Sequence, residues 1–133
     1  MPDRTNPQNR RLLIRGALVI DPSQNSEELR DLLVAGGRIA ALADETDLDG
    51  AEVIEAEGLV CAPGLVDMHV HLRDPGQTYK EDLESGCRAA AAGGVTSLAC
   101  MPNTSPALDN PAVIGDIVRR AASAGAHVYP VAA

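Results

Sequence analysis

Apolar positions along the chain fall into two rhythms that meet at Pro63-Gly64. Before that point the runs are short and β-branched. Arg11 to Ile20 is an apolar run closed by Asp21-Pro22, a turn signal. Leu32 to Ala35 and Arg38 to Leu42 flank Gly36-Gly37, and two glycines between apolar runs predict a tight hairpin whose central residues need positive φ. Asp44 to Gly50 is acidic and predicts a loop; Val53-Ile54-Glu55 and Leu59-Val60-Cys61 predict two more short strands. Residues 11 to 61 therefore read as a small antiparallel β unit, with few residues for a core of its own.

After Pro63-Gly64 strands alternate with helices. Leu65 to Leu72 is strand-like. Thr78-Tyr79-Lys80-Glu81 fits a capping box, with Thr78 as N-cap and Glu81 three residues on. Leu83, Cys87, Ala90 and Ala91 follow at helical spacing, and Gly93-Gly94 ends the helix. Val95 to Met101 predicts a second strand. Asn110-Pro111 predicts the start of a second helix, with proline at its favoured first position and Ile114, Ile117, Val118 and Ala121 as the apolar stripe. Gly125 stops it, and His127 to Ala132 predicts a third strand. The order β-α-β-α-β implies parallel strands joined by right-handed crossovers. No internal repeat or low-complexity segment interrupts it.

Composition narrows the class. The 133 residues are 45% hydrophobic yet include no Trp, no Phe and only 2 Tyr, so the core must be aliphatic, which suits helix-on-sheet packing. A net charge of -8 disfavours nucleic acid and anionic membranes as partners. Cys61, Cys87 and Cys100 lack metal-type CxxC spacing and read as buried thiols of a reducing cytoplasm. No apolar run approaches the ~20 residues that span a bilayer. The polar start, residues 1 to 10, reads as a disordered end without a signal-peptide core.

The chemistry concentrates in Gly64-Leu65-Val66-Asp67-Met68-His69-Val70-His71-Leu72-Arg73. Alternation on a strand puts Asp67, His69, His71 and Arg73 on one face. A buried parallel strand is normally apolar on both faces, so four polar residues need a reason. A metal ion supplies one: imidazoles two residues apart, about 7 Å at Cα, can converge on a cation at ~2.0–2.1 Å from each nitrogen. A solvated edge strand or hydrogen-bonded core histidines are the alternatives. The histidines fall at the C-terminal end of a parallel strand, where α/β barrels place catalytic groups. Asn103, in the loop after the second strand, falls at the same end, as a site residue or as a turn residue beside Pro102. Arg73 reads as an ordinary surface cation or as a guanidinium that captures a carboxylate. Asp67 either orients a ligand histidine or simply packs. His127 begins a strand at the far end and reads as structural; Cys87 and Cys100 read as core.

The stretch from Ala62 to Gly76 (APGLVDMHVHLRDPG) resembles the first barrel strand of the amidohydrolase superfamily. More narrowly it is similar to the dihydroorotase family of the larger bacterial type. Tyr79-Lys80-Glu81-Asp82, the AAAAGGVT segment from Ala89 to Thr96, and Met101-Pro102-Asn103-Thr104 extend the likeness over about residues 58 to 110. The resemblance implies the reversible cyclisation of N-carbamoyl-L-aspartate to L-dihydroorotate in pyrimidine synthesis. It implies one or two Zn2+ ions, with His69 and His71 as ligands, and a substrate carboxylate held by Arg73 and Asn103. Hydantoinases and allantoinases share the HxH strand and the AAxGGxT segment but lack the pairing of HLR with MPNT.

On this resemblance, residues 11–62 form part of a β-sandwich, and residues 63–133 the first β-α-β-α-β of a (β/α)8 barrel. Such a barrel takes ~250 residues. The bridging carboxylate, further histidines and the proton-shuttling aspartate are then expected beyond Ala133, no catalytic base lies within the chain, and the chain alone is expected to be inactive. A homodimer or an association with aspartate transcarbamoylase is implied as possible assembly. The alternatives are another cyclic amidohydrolase of hydantoinase or allantoinase type, and a non-catalytic dihydroorotase-like partner of aspartate transcarbamoylase.

Overall fold

The computed structural model describes residues 10–43 and 50–133. The expected disordered start and acidic loop lie outside them, save Arg10 and Gly50. The chain divides into two compact units, on either side of Pro63 and Gly64.

The first unit is a five-stranded sheet. β1 (Arg11–Asp21), β2 (Ser26–Ala35) and β3 (Arg38–Ala43) pair antiparallel in sequence. β2 runs longer than its apolar stretch predicts, because Ser26 to Arg30 pair with the last turn-side residues of β1 even though Glu27, Glu28 and Leu29 face solvent. The β2–β3 turn is the expected two-residue hairpin: Ala35 pairs with Arg38 across Gly36 and Gly37, whose φ values are 58° and 72°.

The expectation of an all-antiparallel unit is corrected by the last two strands. β4 (Glu52–Glu55) and β5 (Val60–Cys61) both run parallel to β1, along the edge opposite β2. A parallel pair needs a long connection, and here the β2–β3 hairpin lies within it. Alternating apolar residues specify a strand but not its direction, so the sequence pattern missed this. Gly16 (φ 68°) marks a bulge in β1 between the stretch that pairs with β4 and the stretch that pairs with β5. The Gly16 N–H donates to the Asp31 carboxylate at 2.9 Å. Ala17, Val19, Leu32 and Ala56 form the unit's core.

The second unit is mixed α/β. β6 (Leu65–Val70), β7 (Val95–Cys100) and β8 (His127–Pro130) form a parallel sheet in chain order, with α1 (Leu83–Ala92) and α2 (Pro111–Ala121) as the connections. One apolar cluster joins Leu98 and Cys100 of β7 to Leu83 and Cys87 of α1 and to Ile117 and Ala121 of α2. Cys87 and Cys100 are core residues as expected, and their burial pushes both thiols above the usual cysteine range. Val118, assigned to the apolar stripe by periodicity, is 51% exposed.

α1 starts one turn later than its capping box predicts. Thr78 lies in a turn, and Asp82 is the N-cap: its carboxylate accepts from the Ser85 N–H at 2.7 Å, while the Ser85 hydroxyl accepts from the Asp82 N–H at 3.3 Å. The segment offers two consecutive boxes, and the one beginning at Asp82 starts the helix directly before the core residues Leu83 and Cys87. α2 begins as expected, with the Asn110 side chain accepting from the Ala112 and Val113 N–H groups at 3.1 Å and Pro111 first in the helix.

Candidate metal and substrate site

Parallel pairing puts the C-terminal ends of β6 and β7 side by side, and the two loops leaving them carry the polar residues singled out by sequence. β6 ends at Val70, two residues earlier than expected. His69 is therefore on the strand, and His71 and Arg73 lie on the segment that leaves it. The Met101 N–H donates to the Val70 carbonyl at 2.9 Å, which holds the two departing segments together. At Arg73 the backbone enters the left-handed region (φ 59°) and turns away.

Strict alternation also fails within β6. Pairing slips between Asp67 and Val70, where Asp67 opposes Leu98 and Val70 opposes Cys100. Within this irregular stretch the Asp67 carboxylate accepts from the backbone N–H of His69 at 3.0 Å. Asp67 thus fixes the main chain at His69 rather than touching an imidazole. A short acidic side chain that bonds the amide two residues on competes with the sheet ladder, which accounts for the slip.

The two imidazoles sit edge to face with their centres 5.3 Å apart. His71 Nδ1 lies 2.9 Å from Asn103 Oδ1. The structure thus brings together His69, His71 and Asn103 from two loops and one strand. β6 is an edge strand of its three-stranded sheet, and His69 is exposed while His71 is half-buried. Exposure does not single out the polar residues, because Val66 and Met68 of the same strand are 66% and 78% exposed. Rings edge to face at this separation lie in the ordinary range for an aromatic pair.

Arg73 is half-buried, and among the described residues its guanidinium makes no ion pair. Its carbonyl accepts from the Gln77 N–H at 2.9 Å, closing a turn. The next residue, Asp74, is buried and pairs with Arg120 of α2. Gly76 packs directly on the loop after β7: a Cβ there would lie 2.0 Å from the Ser105 carbonyl oxygen, and the Ser105 N–H donates to the Pro75 carbonyl at 3.2 Å. The loops carrying Arg73 and Asn103 are therefore tied together at two further points. Neither Asp74 nor Gly76 stood out as functional by sequence; the arginine 46 positions away that pairs with Asp74 has no local signature.

His127 opens β8, exposed, at the opposite end of the sheet. The larger clefts, about 870 and 530 Å3, are lined by Arg88, Arg119 and Arg120 and by Val118, Ala122 and Tyr129 among others, and include neither His69 nor His71. No cluster of three or more His, Cys, Asp or Glu suited to a metal occurs among the described residues. No helix among them is long and apolar enough to cross a membrane.

Residues 58–133 match the family model described as Dihydro-orotase-like. The chain belongs to the dihydroorotase-like family. Dihydroorotases of known sequence resemble it over nearly its whole length. That of Geobacter metallireducens is 54% identical over 122 residues, 90% of this chain and 29% of the relative. That of Aquifex aeolicus is 50% identical over 115 residues, 86% of this chain and 27% of the relative. This dihydroorotase-like chain thus spans less than a third of the length of these relatives. Among solved structures it resembles the L-hydantoinase (dihydropyrimidinase) of Arthrobacter aurescens, with a TM-score of 0.72 and 26% identity over 83% of this chain and 24% of that one. A D-hydantoinase gives 0.64 and 28% over 90% and 26%.

Proposed function

We propose that this chain supplies the first metal ligands and the carboxylate anchor of a zinc-dependent dihydroorotase, which interconverts N-carbamoyl-L-aspartate and L-dihydroorotate in the cytoplasm. The observation that carries the reading is the meeting of His69, His71 and Asn103 where β6 and β7 end.

The donor set fits zinc. Imidazole nitrogens at ~2.0–2.1 Å from a common ion, at a near-tetrahedral angle, put two ring centres roughly 5 Å apart. The separation of 5.3 Å agrees. Zinc held by His69 and His71, as one or two ions in the complete site, would supply a Lewis acid for the ring amide carbonyl and a water whose pKa falls toward ~7. The rest of the work here belongs to the chain's own groups. Asp67 anchors the backbone that bears His69. Arg73 offers a planar pair of donors to the substrate carboxylate, and Asn103 has its amide N–H groups for the same anion. Two histidines leave zinc short of the three or four protein ligands it usually takes. Turnover therefore belongs to a complete (β/α)8 barrel, in which residues 63–133 are the first β-α-β-α-β and residues 11–62 part of a β-sandwich. A homodimer and a contact with aspartate transcarbamoylase are compatible assemblies. Hydantoinase chemistry is the second reading, favoured by the hydantoinases among the structural neighbours, whose identity is half that of the dihydroorotases.

A chimera tests the proposal. This chain replaces the matching segment of the Geobacter metallireducens dihydroorotase, and turnover of dihydroorotate and of hydantoin is compared. Dihydroorotate should turn over far faster, and His71→Ala should abolish it. A folded, zinc-loaded chimera that prefers hydantoin, or opens neither ring, contradicts the proposal.

A further inference from the structure

Asn103 touches a histidine, not only the space where a carboxylate would bind. Its Oδ1 lies 2.9 Å from His71 Nδ1. A side-chain amide oxygen has lone pairs and no proton, so it can only accept. The proton of a neutral His71 ring must then sit on Nδ1, and the lone pair on Nε2. Fixing one ring nitrogen as a donor decides which nitrogen is left for a metal. The amide's own NH2 group is spent on neither, and remains to donate elsewhere.

We propose that Asn103 is a positioning residue for His71: its carbonyl holds the Nδ1–H tautomer and aims Nε2 at the cation, while its NH2 serves the substrate anion. This deepens, and rests on, the assignment of His71 as a ligand and Asn103 as a carboxylate contact. One planar amide then joins substrate recognition to metal binding. Its two ends do separate jobs, so the two can be separated by substitution. Asn103→Asp keeps an acceptor on Nδ1 but turns the donating end into a second acceptor oxygen and adds one negative charge. Asn103→Leu keeps the bulk and removes both. Groups of this kind behind a metal-binding histidine typically change metal affinity by about 10–100-fold.

The test reads the tautomer directly, by long-range 1H–15N correlation of the imidazole rings in the full chain with the rings neutral, and then titrates Zn2+ alone. The expected result is Nδ1–H for His71 in the wild type and in Asn103→Asp, with Zn2+ affinity kept. In Asn103→Leu the ring reverts to a mixture, and Zn2+ affinity falls about 10–100-fold. A purely structural asparagine would leave the tautomer unmoved. An Nε2–H ring in the wild type overturns the proposal, and so does an unchanged tautomer in Asn103→Leu. If Asn103→Leu does not fold, the wild-type and Asn103→Asp spectra still decide it. In the chimera Asn103→Asp should lose dihydroorotate affinity while keeping zinc. If it keeps both, the carboxylate assignment fails and the tautomer result stands by itself.

Discussion

Arg120 of α2 reaches back 46 positions to the buried carboxylate of Asp74, three residues beyond His71, and donates to it at 3.0 Å through Nη1. The pair is lopsided: the Asp74 side chain is 4% exposed and that of Arg120 45%. Arg120 also reaches Asp116 at 3.4 Å. The two carboxylates hold its guanidinium above its already high ordinary pKa, the Asp74 hydrogen bonds most of all. Removing Asp74 leaves an arginine that water and Asp116 can still serve. Removing Arg120 strands a buried carboxylate.

The two substitutions should therefore differ. Arg120→Met is expected to cost about 3–5 kcal/mol, the usual penalty for orphaning a buried charge. Asp74→Ala should cost less, about 1–3 kcal/mol. Urea unfolding of both variants checks the order, and equal or reversed costs would show that Asp74 is solvated after all.

Gly76 carries a second structural prediction. It combines a φ of 90° with a Cβ position 2.0 Å from the Ser105 carbonyl. Gly94 has a similar φ, 78°, but open space around its Cβ position. Gly94→Ala should cost only the backbone term, about 1–2 kcal/mol. Gly76→Ala should cost more and should also weaken the His71–Asn103 contact, because it wedges apart the loops that bear Arg73 and Asn103. Unfolding free energies together with the His71 ring signals report both effects.

The α1 cap makes stability depend on pH in one direction. The backbone N–H of Ser85, and then its hydroxyl, hold the Asp82 carboxyl below the ordinary aspartate value. A folded-state pKa below the unfolded one stabilises the protein above the unfolded value of ~3.9 and loses that contribution as pH falls through the folded value. Asp82→Ala should thus lower the melting temperature at neutral pH, and the gap should close as pH drops below the carboxylate range. Melting curves across that window check it; a gap that widens in acid would reverse the assignment.

Much of this could be read from the sequence, and the failures have identifiable causes. The glycine hairpin, the Asn110-Pro111 helix start and the β-α-β-α-β order rest on local turn and cap signals carried by short stretches. His69, His71 and Asn103 were legible as a group because parallel strands bring their C-terminal ends together. The parallel course of β4 and β5 was not, since alternation carries no strand direction. The start of α1 was misread because Thr78 and Asp82 both head plausible boxes, and only core packing chooses between them. Asp67 was placed on the histidine face by alternation; its bond to the His69 amide accompanies a slip in the strand that alternation cannot foresee. Asp74 and Gly76 act through partners distant in sequence, and nothing near them announces it.

The shared cation is the claim on which the functional account turns. Zn2+ titrated into the chain, with the ring resonances of all three histidines followed by NMR, tests it most directly. His69 and His71 should move together along one binding curve while His127, at the other end of the sheet, stays still. Separate curves for His69 and His71, or an equal response from His127, would contradict the account.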